Sequence, residues 1–402
     1  MKIRVPYFNS LLLFQIVFLT FLGYYAILLL AINFGLSDFS RYVTVPVRLI
    51  IIFSFLFLLI LNFKSFKIGY YTKIFLILSF IFFVRVAVDN YNDSIYYLSS
   101  VEVFFYFLFF SFIPFVSIST IPFSERLINI IIKSIITSGI LFSILSLIFY
   151  SNFIGEVGRL SSKTVGEDVV SPLSLSYSST LIIGVVIIYF IYNKRSILEY
   201  IVGFAAILLS IVPFFLGASR GSLIALFIPF LVVLLVKVNI KRFFLGLIFI
   251  FFSFYALIYL SEYFGSNIFD RFFNLSNDIE QGNNSTMRLG MWENSFHQFI
   301  NNPFFGDKLG VNGFSGYYPH NIILEVLQSL GVIGFVPIFI LIYSGISNSL
   351  SLIKFSPQYS WVTFIFFQST IKGLFSGTFY NSSWFWFSLA LVFAVNRYTK
   401  NF

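Results

Sequence analysis

The sequence predicts an all-α, polytopic integral membrane protein, and three observations carry that prediction. Asp, Glu, Lys and Arg make up 10% of the 402 residues, where soluble domains carry ~25%. Hydrophobic residues reach 58%, with 59 phenylalanines among them, and the mean hydropathy is +0.93. Apolar runs close to the ~20 residues that a spanning helix needs recur along the whole chain. So little charge cannot cover a water-soluble body of this size. Barrel strands are disfavoured, because they would alternate in ~10-residue segments rather than stay apolar throughout.

About twelve transmembrane helices follow in order, near 10–32, 43–62, 70–88, 100–119, 127–150, 173–192, 197–217, 222–238, 243–261, 321–347, 360–376 and 382–396. No small-residue cleavage site follows the first run, so it is expected to be an uncleaved anchor rather than a signal peptide. Neither a repeat nor a Pro-rich linker divides the chain, and 1–402 reads as a single transmembrane domain. With the N-terminus placed in the cytoplasm, the inner side collects fifteen cations, Lys2, Arg4, Lys64 and Lys67 among them, against only Glu125 and Glu199. Lys and Arg bias in short loops sets orientation. Both termini are therefore expected inside, with an even number of spans. The net charge of +9 is on this reading a topology signal, and it implies no nucleic-acid partner.

The remaining ten cations fall on the outer side: Arg41, Arg48, Arg85, Arg159, Lys163, Arg220, Arg271, Arg288, Lys308 and Lys372. Charge within a bilayer is costly and usually lines a cavity or pathway. For Arg48, Arg85 and Lys372 the alternative is snorkelling to the headgroups. The chain has no Cys and only two His, which argues against thiolate or His-cluster metal sites. Neither G-x-G-x-x-G nor G-x-x-x-x-G-K-[ST] occurs, so nucleotide chemistry is unsupported.

Two outer connections are long, 151–172 and 262–320. Connections of that length are functional or disordered, and the aromatic content of 262–320 disfavours disorder. Asn284-Ser285-Thr286 offers capping chemistry before a helix running from Met287 to about Ile300, ended by Pro303. Trp292, Phe296 and Phe299 recur at helical spacing, as on a helix lying at the membrane interface. Arg288 shares a flank with Trp292, while His297 turns away toward the surface.

Tyr317-Tyr318-Pro319-His320-Asn321 leads directly into an apolar span, which places His320 at a helix N-terminus. The helix dipole there disfavours imidazolium, so a neutral imidazole could accept a proton. The competing reading is a capping or interfacial histidine. Asn321, Glu325 and Gln328 then form a polar stripe facing the protein interior, and Glu325 is expected to find a cationic partner among the outer arginines. Gly217-Ala218-Ser219-Arg220-Gly221 joins two spans with no room for a loop, holding Arg220 at the rim. Arginine forks match phosphate oxygens. A lipid-linked pyrophosphate lives at this depth, and as a leaving group it needs charge stabilisation. An attacking sugar hydroxyl needs a base, for which His320 is the candidate.

Three stretches carry a resemblance. Gly-Ala-Ser-Arg220-Gly at a span junction resembles one signature of the O-antigen polymerase and O-antigen ligase superfamily. So do Met-Arg288-Leu-Gly-Met-Trp292 with Asn302-Pro303-Phe-Phe-Gly306, and Pro319-His320-Asn321-Ile-Ile-Leu-Glu325 running into Gly331-Val-Ile-Gly334. The likeness covers 217–334 well, and the first 200 residues by span pattern alone. It implies metal-independent, inverting glycosyl transfer from undecaprenyl-pyrophosphate-linked glycan, without cofactor, on the periplasmic face of a Gram-negative inner membrane. The loop 262–320 would then be periplasmic.

In these terms His320, Arg220 and Arg288 are the catalytic candidates: the arginines hold the donor pyrophosphate and His320 activates the acceptor hydroxyl. Asn321, Glu325, Arg85 and Lys372 join Arg220 and Arg288 as candidate substrate contacts. The partners implied are lipid-linked repeat units, membrane lipids and a chain-length regulator. Polymerase and ligase differ in acceptor, another lipid-linked unit or the lipid A core. The tight 319–325 stretch and the compact 303–320 segment resemble polymerases more closely. A flippase for the same lipid is the alternative outside enzymes. It would be expected to show repeats and midplane sites on interrupted helices rather than polarity gathered at one face.

Overall fold

The computed structural model describes residues 5–36, 40–63, 68–94, 97–165, 169–237, 240–274 and 284–400. Their regular secondary structure is all helical, with no strand among them. Nine helices among the described residues are long and apolar enough to cross a membrane, beginning with Phe8–Asn33 and ending with Ile322–Phe355; Arg220–Val236 is apolar but shorter. Ser360–Ser376 and Ser383–Lys400 occupy the last two expected runs. Every apolar run of the sequence is thus a helix of a polytopic membrane protein. The cations Lys2, Arg4, Lys64 and Lys67 that argued for orientation lie outside the described residues.

Burial explains the compositions of individual helices. Trp384 through Asn396 are buried without interruption, which makes Ser383–Lys400 the axis of the bundle. A helix apolar on all faces belongs in such a position. Its Trp386 packs on Phe75, Phe115, Phe379 and Phe385, rings contributed by three other segments besides its own. Ile240–Tyr263 is the opposite case, with Phe244, Phe251, Phe252 and Tyr259 all exposed, as a lipid-facing flank requires. Two spans are interrupted by a π-helical turn, Leu19–Gly23 in the first and Leu108–Phe112 in the fourth.

The long connections gather at one end of the bundle. There Asn284–Asn301 forms a helix that starts three residues earlier than the sequence suggests, so Asn284-Ser285-Thr286 is not a capping segment ahead of it, and the side chains of those three residues are outside the description. This helix packs on Ile322–Phe355, which is broken at Gly331 (φ 62°, ψ −158°). The 303–307 segment is docked into the break. Val332 N–H donates to the Pro303 carbonyl at 2.8 Å, Ile333 N–H to Phe304 at 3.2 Å, and Asp307 N–H to the Gln328 carbonyl at 2.7 Å. Backbone groups freed by the break are therefore satisfied inside the protein, as a membrane environment demands. Gly306 (φ 72°) and Gly331 interlock. A Cβ on Gly306 would run into the Ser329–Leu330 backbone, and one on Gly331 into Phe304 and Gly306.

Neither glycine can accept a side chain, because the obstacle is backbone and both have left-handed φ. Gly331→Ala and Gly306→Ala are each expected to lower the apparent Tm of the detergent-solubilised protein, at a cost of about 1–3 kcal/mol from the backbone strain alone. Gly35→Ala, which shares the left-handed φ (73°) but where a Cβ meets nothing within 4 Å, should carry that strain without the clash and so cost less. Equal Tm values for all three would contradict the interlock.

Candidate active site

The Gly217–Gly221 junction is a backbone turn whose carbonyls are each claimed by a donor. Helix Ile197–Gly217 ends with Ala218 in the left-handed region (φ 41°). Gly217 is pressed against Ser176 and the Pro172 carbonyl, so no side chain fits there. The Phe215 carbonyl accepts from Ser266 Oγ at 2.7 Å and the Leu216 carbonyl from Leu160 N–H at 2.8 Å. Arg159 Nε donates to the Gly217 carbonyl at 3.2 Å, and Arg271 Nη1 donates to the Ala218 carbonyl. Ser219 N–H donates to Ser176 Oγ at 3.2 Å, and Ser222 Oγ caps the Ser219 carbonyl. Arg220 follows as the first residue of helix Arg220–Lys237. Both long connections thus send an arginine to the same turn. Neither Arg159 nor Arg271 was singled out for the site by sequence; their distance along the chain from Arg220 hid the convergence.

Arg288 reaches the same region from helix Asn284–Asn301, and its Nη1 donates to the Phe375 carbonyl at 3.0 Å. The four guanidinium groups feel one another. Burial pushes the Arg271 guanidinium down to about 10, with the charges of Arg159, Arg220 and Arg288 adding to it. Burial likewise lowers Arg159, with Arg288 and Arg220 contributing, and it lowers Arg288. Like charges gathered at one turn form a ready site for a polyanion, and among the described residues no carboxylate pairs with Arg159, Arg271 or Arg288. Each guanidinium has five N–H donors, so the carbonyl bonds leave donors over.

Trp292, one turn beyond Arg288, donates its Nε1 to the Pro319 carbonyl at 2.8 Å and so ties this helix to the next residue, His320. His320 itself has φ 57°, a conformation that non-glycine residues hold only when their surroundings enforce it. Its ring packs edge-on to Tyr318 at 4.5 Å between centroids. Nδ1 is buried and makes no hydrogen bond within the described residues. Burial, with the Arg288 charge adding to it, pushes the imidazole down to about 4. His320 is therefore neutral at neutral pH. The cause is chiefly desolvation rather than the helix dipole invoked from sequence. His297 is at the surface as expected, exposed and 3.9 Å from Glu293.

The polar stripe after His320 is structural. Asn321 is the N-cap, its Oδ1 accepting from Ile323 N–H at 3.0 Å and Leu324 N–H at 3.2 Å. Gln328 Nε2 donates to the Lys308 and Leu309 carbonyls at 3.0 and 3.1 Å. Glu325 is fully buried, and its Oε2 accepts from Phe379 N–H at 2.8 Å. The arginine partner expected for it is not found among the described residues. Arg85 neither snorkels nor joins the cluster. Its guanidinium donates to the Phe305 and Asp307 carbonyls, both at 2.6 Å, and lies 3.4 Å from Asp89. It fastens the docked 303–307 segment. Lys372 faces a separate cavity.

A family model described as O-antigen ligase matches residues 204–307, from the helix ahead of the turn through Arg220, Arg271 and Arg288. Over that stretch, which is well under half of the chain, the protein is similar to that family. Comparison with curated proteins gives no match. The O-antigen ligase match stops short of His320, which is nonetheless joined to the matched part through Trp292 and the Arg288 charge.

The His320 imidazole has its pKa lowered, so it stays neutral as pH falls through the ordinary imidazole range near 6.5 and protonates only around 4. In a His297→Gln background, NMR of labelled imidazole should show His320 neutral at about pH 5, between its lowered pKa and the ordinary one. A midpoint near 6.5 would overturn the buried placement. Arg271→Met removes the donor to the Ala218 carbonyl and should destabilise the protein by about 1–3 kcal/mol in thermal unfolding, the cost of one orphaned buried acceptor.

Proposed function

We propose that the protein is an O-antigen polymerase, joining undecaprenyl-pyrophosphate-linked oligosaccharide repeat units by metal-independent glycosyl transfer. The observation that carries this reading is the convergence of Arg159, Arg220, Arg271 and Arg288 beside a half-buried, neutral His320. In the transfer, the acceptor hydroxyl oxygen bonds to the anomeric carbon of the donor sugar. The bond from that carbon to the pyrophosphate oxygen breaks, and the polyprenyl pyrophosphate leaves with the electron pair. The hydroxyl proton passes to His320. The arginines stabilise the charge that develops on the leaving group.

The low basicity of His320 before substrate binds suits this sequence of steps. It enters the reaction unprotonated, and the negative charge of the bound pyrophosphate then offsets Arg288 and raises its affinity for a proton. The site sits at the end of the bundle that carries the long connections. Under the positive-inside reading of the sequence that end faces the periplasm of a bacterial inner membrane. The 319–325 stretch and the compact 303–320 segment favour polymerase over ligase by resemblance. Both also serve the site, since the first presents His320 and the second is anchored into the broken helix that follows it.

The purified protein, reconstituted with synthetic polyprenyl-pyrophosphate repeat units alone, should produce a ladder of longer lipid-linked glycans. Product only after addition of lipid A core would make it a ligase, and translocation without any new glycosidic bond would sink both. His320→Ala should slow chain growth by about 10²–10⁴-fold, the usual contribution of a positioned base. Arg288→Lys should also impair it, since an ammonium cannot reproduce the planar fork; wild-type rates in either variant would remove that residue from the mechanism.

A further inference from the structure

A cavity of about 260 Å³ has Tyr318 among its lining residues, and the Tyr318 ring also packs edge-on against His320. Its walls come from segments distant in sequence: both π-helical turns (Leu19, Thr20, Phe109, Phe110), Arg48, Lys372, and the 376–385 connection with Trp384. π turns of this kind are frequent at functional sites, because they push side chains out of helical register. No carboxylate is among the described residues that line it. Two cations face the space. The Lys372 ammonium rests on the Trp384 ring at 3.8 Å and near the Tyr177 ring at 5.7 Å, with no hydrogen bond or ion pair among the described residues. The Arg48 guanidinium donates to Tyr24 Oη at 3.0 Å and stands over the Phe110 ring at 5.6 Å.

Two further lining groups point to a missing ligand. Thr20 Oγ1 and Ser369 Oγ are buried, and neither has a hydrogen-bond partner among the described residues. A half-buried cation and buried hydroxyls without acceptors or donors are costly unless something supplies them. Stacking on an aromatic ring offsets only part of that for Lys372. An anion with several oxygens would satisfy all of these groups together. The volume lies just below the ~300 Å³ at which sites for drug-sized ligands begin. It therefore takes a head group, not an oligosaccharide.

We propose that this cavity is a second binding site for a phosphate-bearing lipid head group, and that its occupant is the pyrophosphate of the acceptor lipid. The identity of the occupant rests on the polymerase reading, in which two lipid-linked units must be held at once. The geometry meets that requirement. Arg288 bonds the Phe375 carbonyl, and the next residue, Ser376, lines the cavity. Tyr318 lines it too, and its ring touches His320. Donor and acceptor head groups would then be linked through Tyr318, which contacts both the cavity and the base.

The test uses the full-length protein in phosphatidylcholine nanodiscs and farnesyl pyrophosphate as probe. Native mass spectrometry should find two equivalents bound to wild type, one to Lys372→Met, and two again in Lys372→Arg. Unchanged stoichiometry in Lys372→Met would overturn the site. If Lys372→Met fails to fold, Arg48→Gln answers the same question with the same expected loss of one equivalent. A kinetic arm separates the sources of the phosphate. A donor capped at its acceptor hydroxyl is paired with an acceptor whose pyrophosphate is replaced by a non-leaving phosphonate. Lys372→Met should raise KM for the acceptor at least tenfold and leave KM for the donor within twofold. If instead acceptor KM is unchanged and phosphatidylglycerol in the disc displaces one equivalent of probe, the cavity holds bulk lipid and the acceptor assignment fails. If wild type forms no glycosidic bond, the polymerase reading fails while the stoichiometry still decides the site.

Discussion

The last carbonyls of any α-helix lack donors within the helix. At the end of Ile197–Gly217 they point into protein rather than water. Leaving one such group unpaired costs about 1–3 kcal/mol, so the turn at 215–219 exists only where donors are delivered to it. They come from two separate connections: Leu160 N–H and Arg159 from one, Ser266 and Arg271 from the other. The negative pole of the helix and the positive side chains also attract each other. This capping holds the turn shut, fixes where helix Arg220–Lys237 begins, and so fixes Arg220. It also explains why the long connections, otherwise free to wander, are pinned to the bundle at that point.

The same bonds create the electrostatic character of the site. Four guanidinium groups brought together repel one another, and this adds to the desolvation that lowers the pKa values of Arg159 and Arg271. The helix-end carbonyls offset part of that repulsion without neutralising it, because a carbonyl is a dipole and not a counter-charge. A carboxylate in the same place would have made the cluster more stable and taken away its appetite for an anion. Glu325 illustrates the separation: it is buried nearby in sequence from His320, yet it is spent on the Phe379 N–H.

Much of the architecture was legible in the sequence because apolar runs report directly on helices that must satisfy their own backbone. Arg220, Arg288 and His320 were legible for another reason: each sits in a short local pattern at a helix boundary. Long-range partnership left no such trace. Arg159 and Arg271 look like ordinary loop cations until folding brings them to Gly217 and Ala218. Arg85, read as a candidate substrate contact, spends its donors on carbonyls more than two hundred residues away. The capping role of Asn321 was missed for the opposite reason, since it is local and the polar spacing with Glu325 and Gln328 drew attention away from it. The two π turns were invisible, because their residues are as apolar as their neighbours.

The bonds from Val332 and Ile333 back to Pro303 and Phe304 turn the intervening chain into a closed loop, fastened at its neck by two interlocked glycines. Closing a loop costs entropy that grows only slowly with its length, so thermodynamics alone would tolerate a longer one. Geometry does not. His320 lies within this loop, tethered on one side by the Trp292 bond to Pro319 and on the other by the Asn321 cap. An inserted residue anywhere between the neck and His320 would have to be absorbed before position 319, or the imidazole would be carried away from Arg288. The length of that stretch is therefore as much a part of the site as any side chain in it.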